Sequence, residues 1–153
     1  MYGLQLASCN KSFSQTSILS GLNADFRGFI LGIAGRNGSG KSTLLKILSG
    51  QLRFTSGSMQ WTGPGAQSLP PAEVLRTMGF CAPYLDLYPD LDCMENLRFI
   101  NQLRSEPADE DAMRRALLDT GFKWIPSTLY RHLSSGQKQR ARLAAAVFFD
   151  PPM

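Results

Sequence analysis

Gly35-Arg36-Asn37-Gly38-Ser39-Gly40-Lys41-Ser42-Thr43 fills every fixed position of the phosphate-binding pattern G-x-x-x-x-G-K-[ST]. A polyphosphate carries closely spaced negative charges. Consecutive backbone N–H groups can ring it only where no Cβ blocks close approach, which is the use of Gly35, Gly38 and Gly40. Lys41 supplies a compact point charge for the outer phosphates and is the candidate for stabilising charge during catalysis. Ser42 offers a hydroxyl to Mg2+, and the helix opening there presents unpaired N–H groups and a positive dipole end. All nine positions, with Arg36, Asn37, Ser39 and Thr43 filling the remainder, are candidate contacts to a nucleoside triphosphate.

The flanks fit the motif. Phe29-Ile30-Leu31-Gly32-Ile33-Ala34 is a short apolar run, the pattern of a buried parallel strand, so residues 26 to 34 are expected as the strand feeding the loop. Leu44, Leu45 and Leu48 recur at helical spacing after it, and Gly50 stands where a C-terminal cap belongs. Residues 4 to 9 alternate weakly as a first strand. A turn at Ser56-Gly57 opens a strand at Ser58-Met59-Gln60-Trp61, closed by Gly63-Pro64-Gly65. Pro70-Pro71 starts a short helix through Arg76, and residues 78 to 82 read as another buried strand. Beyond Pro83 the pattern turns helical. Asp92 with Glu95 resembles a capping box for a helix carrying Met94, Leu97, Ile100 and Leu103, and a second helix runs from about Pro107 through Met113, Ala116 and Leu117 to Gly121.

Composition narrows the class. The 153 residues suffice for a domain with a real core. Cys9, Cys81 and Cys93 are odd in number and lack C-x-x-C spacing, which indicates neither a disulfide framework nor a zinc site and suits a reducing cytosol. No apolar run approaches the ~20 residues of a membrane span, and no signal segment opens the chain. The net charge of +4 comes from scattered Lys and Arg, which reads as a solvated surface plus a phosphate site, with no direct nucleic-acid partner expected.

A second motif, Leu133-Ser134-Ser135-Gly136-Gln137, leads into the basic Lys138-Gln139-Arg140 and a helix through Phe149. With both motifs in order, the sequence resembles the nucleotide-binding domain of the ATP-binding cassette family, whose signature is L-S-G-G-Q. Thr55-Ser56-Gly57 and Met94-Glu95-Asn96-Leu97 also look like family landmarks. The resemblance covers essentially the whole chain. It implies an α/β P-loop fold: a RecA-like core with N-terminal antiparallel strands, plus a helical signature subdomain. The division would be 1–82 with 136–153 as the ATP-binding core and 83–135 as the helical part. By the same resemblance Phe13 stacks on adenine. Ser134, Ser135, Gly136 and Gln137 face the γ-phosphate held by a second cassette, so that ATP and Mg2+ are sandwiched in a head-to-tail dimer. A small hydroxyl and a bare N–H at a helix start suit an anion, and Ser134 or Ser135 also suits the helix N-cap; the two roles are compatible.

Three departures qualify the match. The position where the family carries a glutamine touching Mg2+ and water aligns with Pro83, whose side chain offers no hydrogen bond. The third signature residue is Ser135 instead of glycine. The family's following apolar run ending in Asp-Glu, with its metal carboxylate and general base, and its later histidine are not found after Asp150. The expectation is therefore a fragment ending just before that strand, with an exposed apolar sheet edge and no hydrolysis of its own. Leu117-Leu118-Asp119 imitates the missing run but reads as a helix end, and His132 reads as a surface or capping histidine.

The function this resemblance implies is the ATP-binding subunit of an ABC transporter, an ATPase when entire. It would sit at the cytoplasmic face of the membrane through a membrane-spanning partner. Tyr84-Leu85-Asp86-Leu87-Tyr88-Pro89 lies where that partner's helix docks, though the same side chains suit packing under the helical part equally well. The compact layout also resembles the ATPases of haem and multidrug export. The alternatives are a non-hydrolytic ATP-binding regulatory module and a soluble cassette protein acting on ribosomes or DNA.

Overall fold

A computed structural model of the chain describes residues 2–28, 30–70, 73–74, 78–104 and 109–149. It divides into two compact units, Met1–Met78 and Gly79–Met153.

The first unit is built on an antiparallel sheet of order β2-β1-β3-β4, with β1 Tyr2–Phe13, β2 Thr16–Gly28, β3 Ser56–Thr62 and β4 Ser68–Leu69. Leu4 pairs with Phe26 on one side and Trp61 on the other, and Leu6 with Ala24 and Met59. Alternation puts Leu4 and Leu6 on one face. An irregularity between Leu6 and Cys9, where Ser8 takes φ 48, shifts the phase by one residue and returns Cys9 to that same face. This bulge is why the alternation looks weak in sequence. Leu4, Leu6, Cys9 and Leu48 form the buried core of the unit, with Leu22, Phe26, Ile33, Leu44, Phe54, Met59 and Trp61 packed around them. Helix α1, Lys41–Leu48, thus lies on the sheet through Leu44 and Leu48.

Several expected elements differ. The strand expected over 26–34 ends at Gly28, within β2; residues 30–36 carry no regular structure, and Phe29 lies outside the described residues. A parallel strand needs ladder partners, and no strand among the described residues pairs with 30–36. Only Ile33 reaches the core, while Ile30 is 88% exposed. Residues 78–82 likewise form no strand, although Ala82 is buried. The hairpin partner β2 escaped sequence reading because it turns at Ser14-Gln15, which is not a strong turn pair, and it is mostly exposed. Of the helix expected from Pro70, only Glu73 and Val74 fall among described residues past the proline, and both are helical.

The second unit packs three helices, α2 Cys93–Arg104, α3 Glu110–Asp119 and α4 Ser135–Val147. Their inward faces are Cys93, Met94 and Leu97, then Met113, Ala116 and Leu117, then Ala141 and Ala144, joined by Phe122, Tyr130, Leu133 and Phe148. The alanines let α4 approach its neighbours closely. The capping box of α2 is formed: Glu95 N donates to Asp92 Oδ1 and Asp92 N to Glu95 Oε2, both 2.8 Å. Asp109 caps α3, and Gly121 at φ 100 closes it. Gly121 N donates to Leu118 O at 2.9 Å and Phe122 N to Leu117 O at 3.2 Å, a Schellman turn sealed by the buried Phe122. Leu103, expected inward, is 71% exposed; the inward row continues from Leu97 to Asn101. Helix α4, which follows the signature, packs with α2 and α3.

Candidate functional site

The loop before α1 makes the turns its glycines allow. Gly38 and Gly40 sit at φ 81 and 87, and Gly40 occupies the N-cap position, where no side chain caps the helix. The opening N–H groups of α1 therefore keep their donors for something outside the helix. A Cβ on Gly40 would come within 2.9 Å of Leu19 and 3.2 Å of the Ile18 carbonyl, so the loop's end is seated on β2. A Cβ on Gly35 would stand 2.8 Å from Ser39 Oγ. The Lys41 ammonium closes the ring by donating to the carbonyls of Gly35 and Arg36, at 2.8 and 2.7 Å. Positive charge and uncapped N–H groups thus share one exposed loop. Ser42 and Thr43 stand in the first turn of α1. Phe13 ends β1 opposite Thr16, on the hairpin whose second strand seats Gly40. Its ring is 46% exposed, with Lys11 Nζ 4.7 Å from its centroid.

In the second unit Ser134 is the N-cap of α4. Its hydroxyl accepts from Gln137 N at 3.3 Å, and Gln137 Oε1 accepts from Ser134 N at 2.9 Å. The signature therefore doubles as a capping box, with Ser135 and Gly136 exposed in the first turn. A Cβ at Gly136 would meet nothing within 4 Å, so the chain's own packing does not require glycine there.

The segment before α2 is anchored to α4. Arg142 Nη1 donates to the carbonyls of Pro83 and Leu85, each at 3.4 Å, and lies 3.8 Å from Asp86. Tyr130 donates to Asp86 Oδ1; burial, then that hydrogen bond, holds the phenol well above its ordinary pKa. Asn96, 1% exposed, holds the turn itself: its Oδ1 accepts from Tyr88 N at 2.8 Å and its amide donates to the carbonyls of Tyr88, Leu91 and Asp92. Leu87 packs against the helical core, whereas Tyr84, Leu85 and Tyr88 are exposed, so inward packing and outward display divide the segment residue by residue. His132 is exposed on a short 3-10 turn beside Arg131. Asn96 was legible only as a landmark, and nothing in the sequence pointed to Arg142.

Loop, sheet and helical unit together define a P-loop nucleotide-binding fold. The chain belongs to the ABC transporter family, whose model matches residues 20–153. Among curated relatives, the cytochrome c biogenesis ATP-binding export protein CcmA 2 of Cupriavidus metallidurans is 32% identical, over 76% of this chain and 55% of its own. The glycine betaine uptake system ATP-binding protein YehX of Escherichia coli is 30% identical, over 97% of this chain and 49% of its own. The chain thus spans about half the length of these relatives. An ABC transporter ATP-binding protein of Pyrococcus furiosus shares the fold at TM-score 0.75 and 20% identity, over 94% of this chain and 68% of that one. Among the described residues no helix is long and apolar enough to cross a membrane.

Proposed function

We propose that this chain carries the ATP-binding part of an ABC transporter subunit. In that role ATP closes two such cassettes head to tail, and its hydrolysis in the entire protein drives a membrane-spanning partner. The observation that carries the reading is the Lys41 ammonium inside a loop of left-handed glycines at an uncapped helix start, which together present donors and charge to a polyanion. The residues fit the nucleotide: Gly35 through Thr43 would ring the phosphates, and Phe13 offers an exposed face for the base. The Ser42 hydroxyl would be one ligand of a Mg2+ held mainly by phosphate oxygens and water. Bound Mg2+ supplies charge neutralisation across the outer phosphates. Lys41 exchanges its bonds to two loop carbonyls for the phosphate oxygens.

The signature supports a role toward a second cassette. Gly136 is free of any internal demand for a missing Cβ, as expected where a ligand from outside approaches the backbone. Tyr84, Leu85 and Tyr88 are the proposed contact to the membrane partner, which would keep the protein at the cytoplasmic face. The relatives' roles, from cytochrome c biogenesis to glycine betaine uptake, differ and assign no cargo here. A second reading, a non-hydrolytic ATP-binding regulatory module, is favoured by Pro83: its side chain cannot position water, and its carbonyl accepts from Arg142.

The test is calorimetry with ATP on the full-length protein and on Lys41→Ala. Binding is expected only for the former; equal affinity of the two removes the loop from the reading. Pro83→Gln is then expected to raise turnover, and unchanged turnover disposes of the second reading.

A further inference from the structure

A cavity of about 270 Å³ opens between the end of α3 and the first turns of α4, lined by Gly121, Phe122, Lys123, Trp124, Gln137 and Arg140. Its polar side chains are all donors, and the others are aromatic. The Gln137 oxygen is engaged by Ser134 N, which leaves the amide N–H2 as the donating end. Arg140 spends one N–H on the Gly121 carbonyl at 3.1 Å, which fixes its guanidinium beside the turn. Lys123 adds a second cation, and no carboxylate lines the cavity. Donors and cations without an acid select a ligand rich in acceptors and negative charge.

The aromatic wall makes the selection sharper. Trp124 is 69% exposed, an unusual place for an indole. Phe122 is buried on one side of it and Pro126 on the other, and Ile125 packs against the helical core. The Schellman turn at Gly121 sets the direction of the segment. A solvent-facing indole between buried neighbours in the chain and beside two cations suits a flat ring bearing an anion. Gln137 and Arg140 lie three residues apart on one face of α4, so the cavity begins at the signature itself.

We propose that this groove receives the ribose and base end of the nucleotide held by the paired cassette, with Trp124 against the base and Lys123, Gln137 and Arg140 toward its oxygens. The inference rests on the head-to-tail reading above and extends it: the signature helix grips the partner's ATP along its length, through its base as well as its terminal phosphate. Trp124 is accordingly a determinant of base preference in pairing, and not of each protomer's own ATP affinity.

The experiment measures ATP-driven pairing of the full-length protein by sedimentation, alongside ATP affinity by calorimetry at protein concentrations where pairing does not occur. Trp124→Ala is expected to raise the ATP concentration for half-pairing about tenfold. Its unpaired affinity and its thermal unfolding should stay unchanged. Trp124→Phe restores most of the pairing, and Trp124→Ala narrows the preference for ATP over CTP. An unchanged half-pairing concentration, or a loss equal for ATP and CTP, overturns the assignment to the base. The two layers separate cleanly. If Ser134→Tyr blocks pairing while Trp124→Ala does not, the sandwich stands and the groove proposal alone falls; if the wild type binds ATP and never pairs, both fall.

Discussion

Replacing Asn96 tests the argument that a single buried amide builds the turn in front of α2. The side chain is 1% exposed and touches four backbone groups, but these groups do not depend on it equally. The Leu91 carbonyl also accepts from Tyr130 N, the Asp92 carbonyl from Asn96 N, and the Tyr88 carbonyl from Leu91 N. In Asn96→Ala only the Tyr88 N–H is left without a partner. An orphaned, partly buried donor costs about 1–3 kcal/mol, and the small void adds about 1 kcal/mol. The better helix propensity of alanine returns about half a kcal/mol. The net loss is therefore roughly 1.5 to 3.5 kcal/mol, read as a shift in the urea midpoint at constant slope. Asn96→Asp separates hydrogen bonding from volume. Its carboxylate still accepts from Tyr88 N but turns two donors into lone pairs facing three carbonyls, so its pKa in the folded chain is raised. A raised folded-state pKa means stability present in acid and lost as pH rises, so this variant should recover toward wild type on acidification while Asn96→Ala does not. A loss below about 1 kcal/mol for Asn96→Ala refutes the reasoning.

Three further outcomes are expected. Lys41→Ala should abolish calorimetric ATP binding while leaving the fold intact, because its Nζ bonds only two exposed loop carbonyls. Gly57→Ala should cost about 3 kcal/mol or more in thermal or urea unfolding. Its φ is 97, and the new Cβ would stand 2.6 Å from both the Cys9 Cα and the Ser8 carbonyl, backbone that can yield only by parting β1 from β3. Alkylation at neutral pH should modify the exposed Cys81 and spare Cys93, whose thiol burial, helped by the Asp92 charge, pushes up from 9.0 to about 11. The neutral thiol stabilises the fold below pH 9.0, and that contribution is lost as pH climbs toward 11; mass spectrometry showing Cys93 labelled as fast as Cys81 at neutral pH contradicts this.

What could be read from sequence was local chemistry. The glycine loop before α1, the capping box of α2, the serine cap of α4 and the glycine that ends α3 need only residues a few positions apart, and each stands where spacing placed it. What escaped was long-range pairing. Ile30 and Leu31 have the composition of a core strand, but composition carries no information on whether a neighbour is present to complete the ladder. The Ser8 bulge hid the alternation of β1, and β2 was missed because its exposed residues show no face. Within the candidate site the motif residues were legible, while Asn96, Tyr130 and Arg142, which brace the turn before α2, act through backbone groups and a carboxylate that no motif records.

Arg142 has a mechanical consequence. One guanidinium grasps two carbonyls and a carboxylate of the 83–86 stretch, and Tyr130 holds that carboxylate from the other side. The exposed Tyr84 and Leu85 are thereby tied through their own backbone to the middle of α4. A displacement of those two side chains would therefore be felt at α4 through these polar contacts, and removing the Arg142 guanidinium would loosen the 83–86 stretch from the helix.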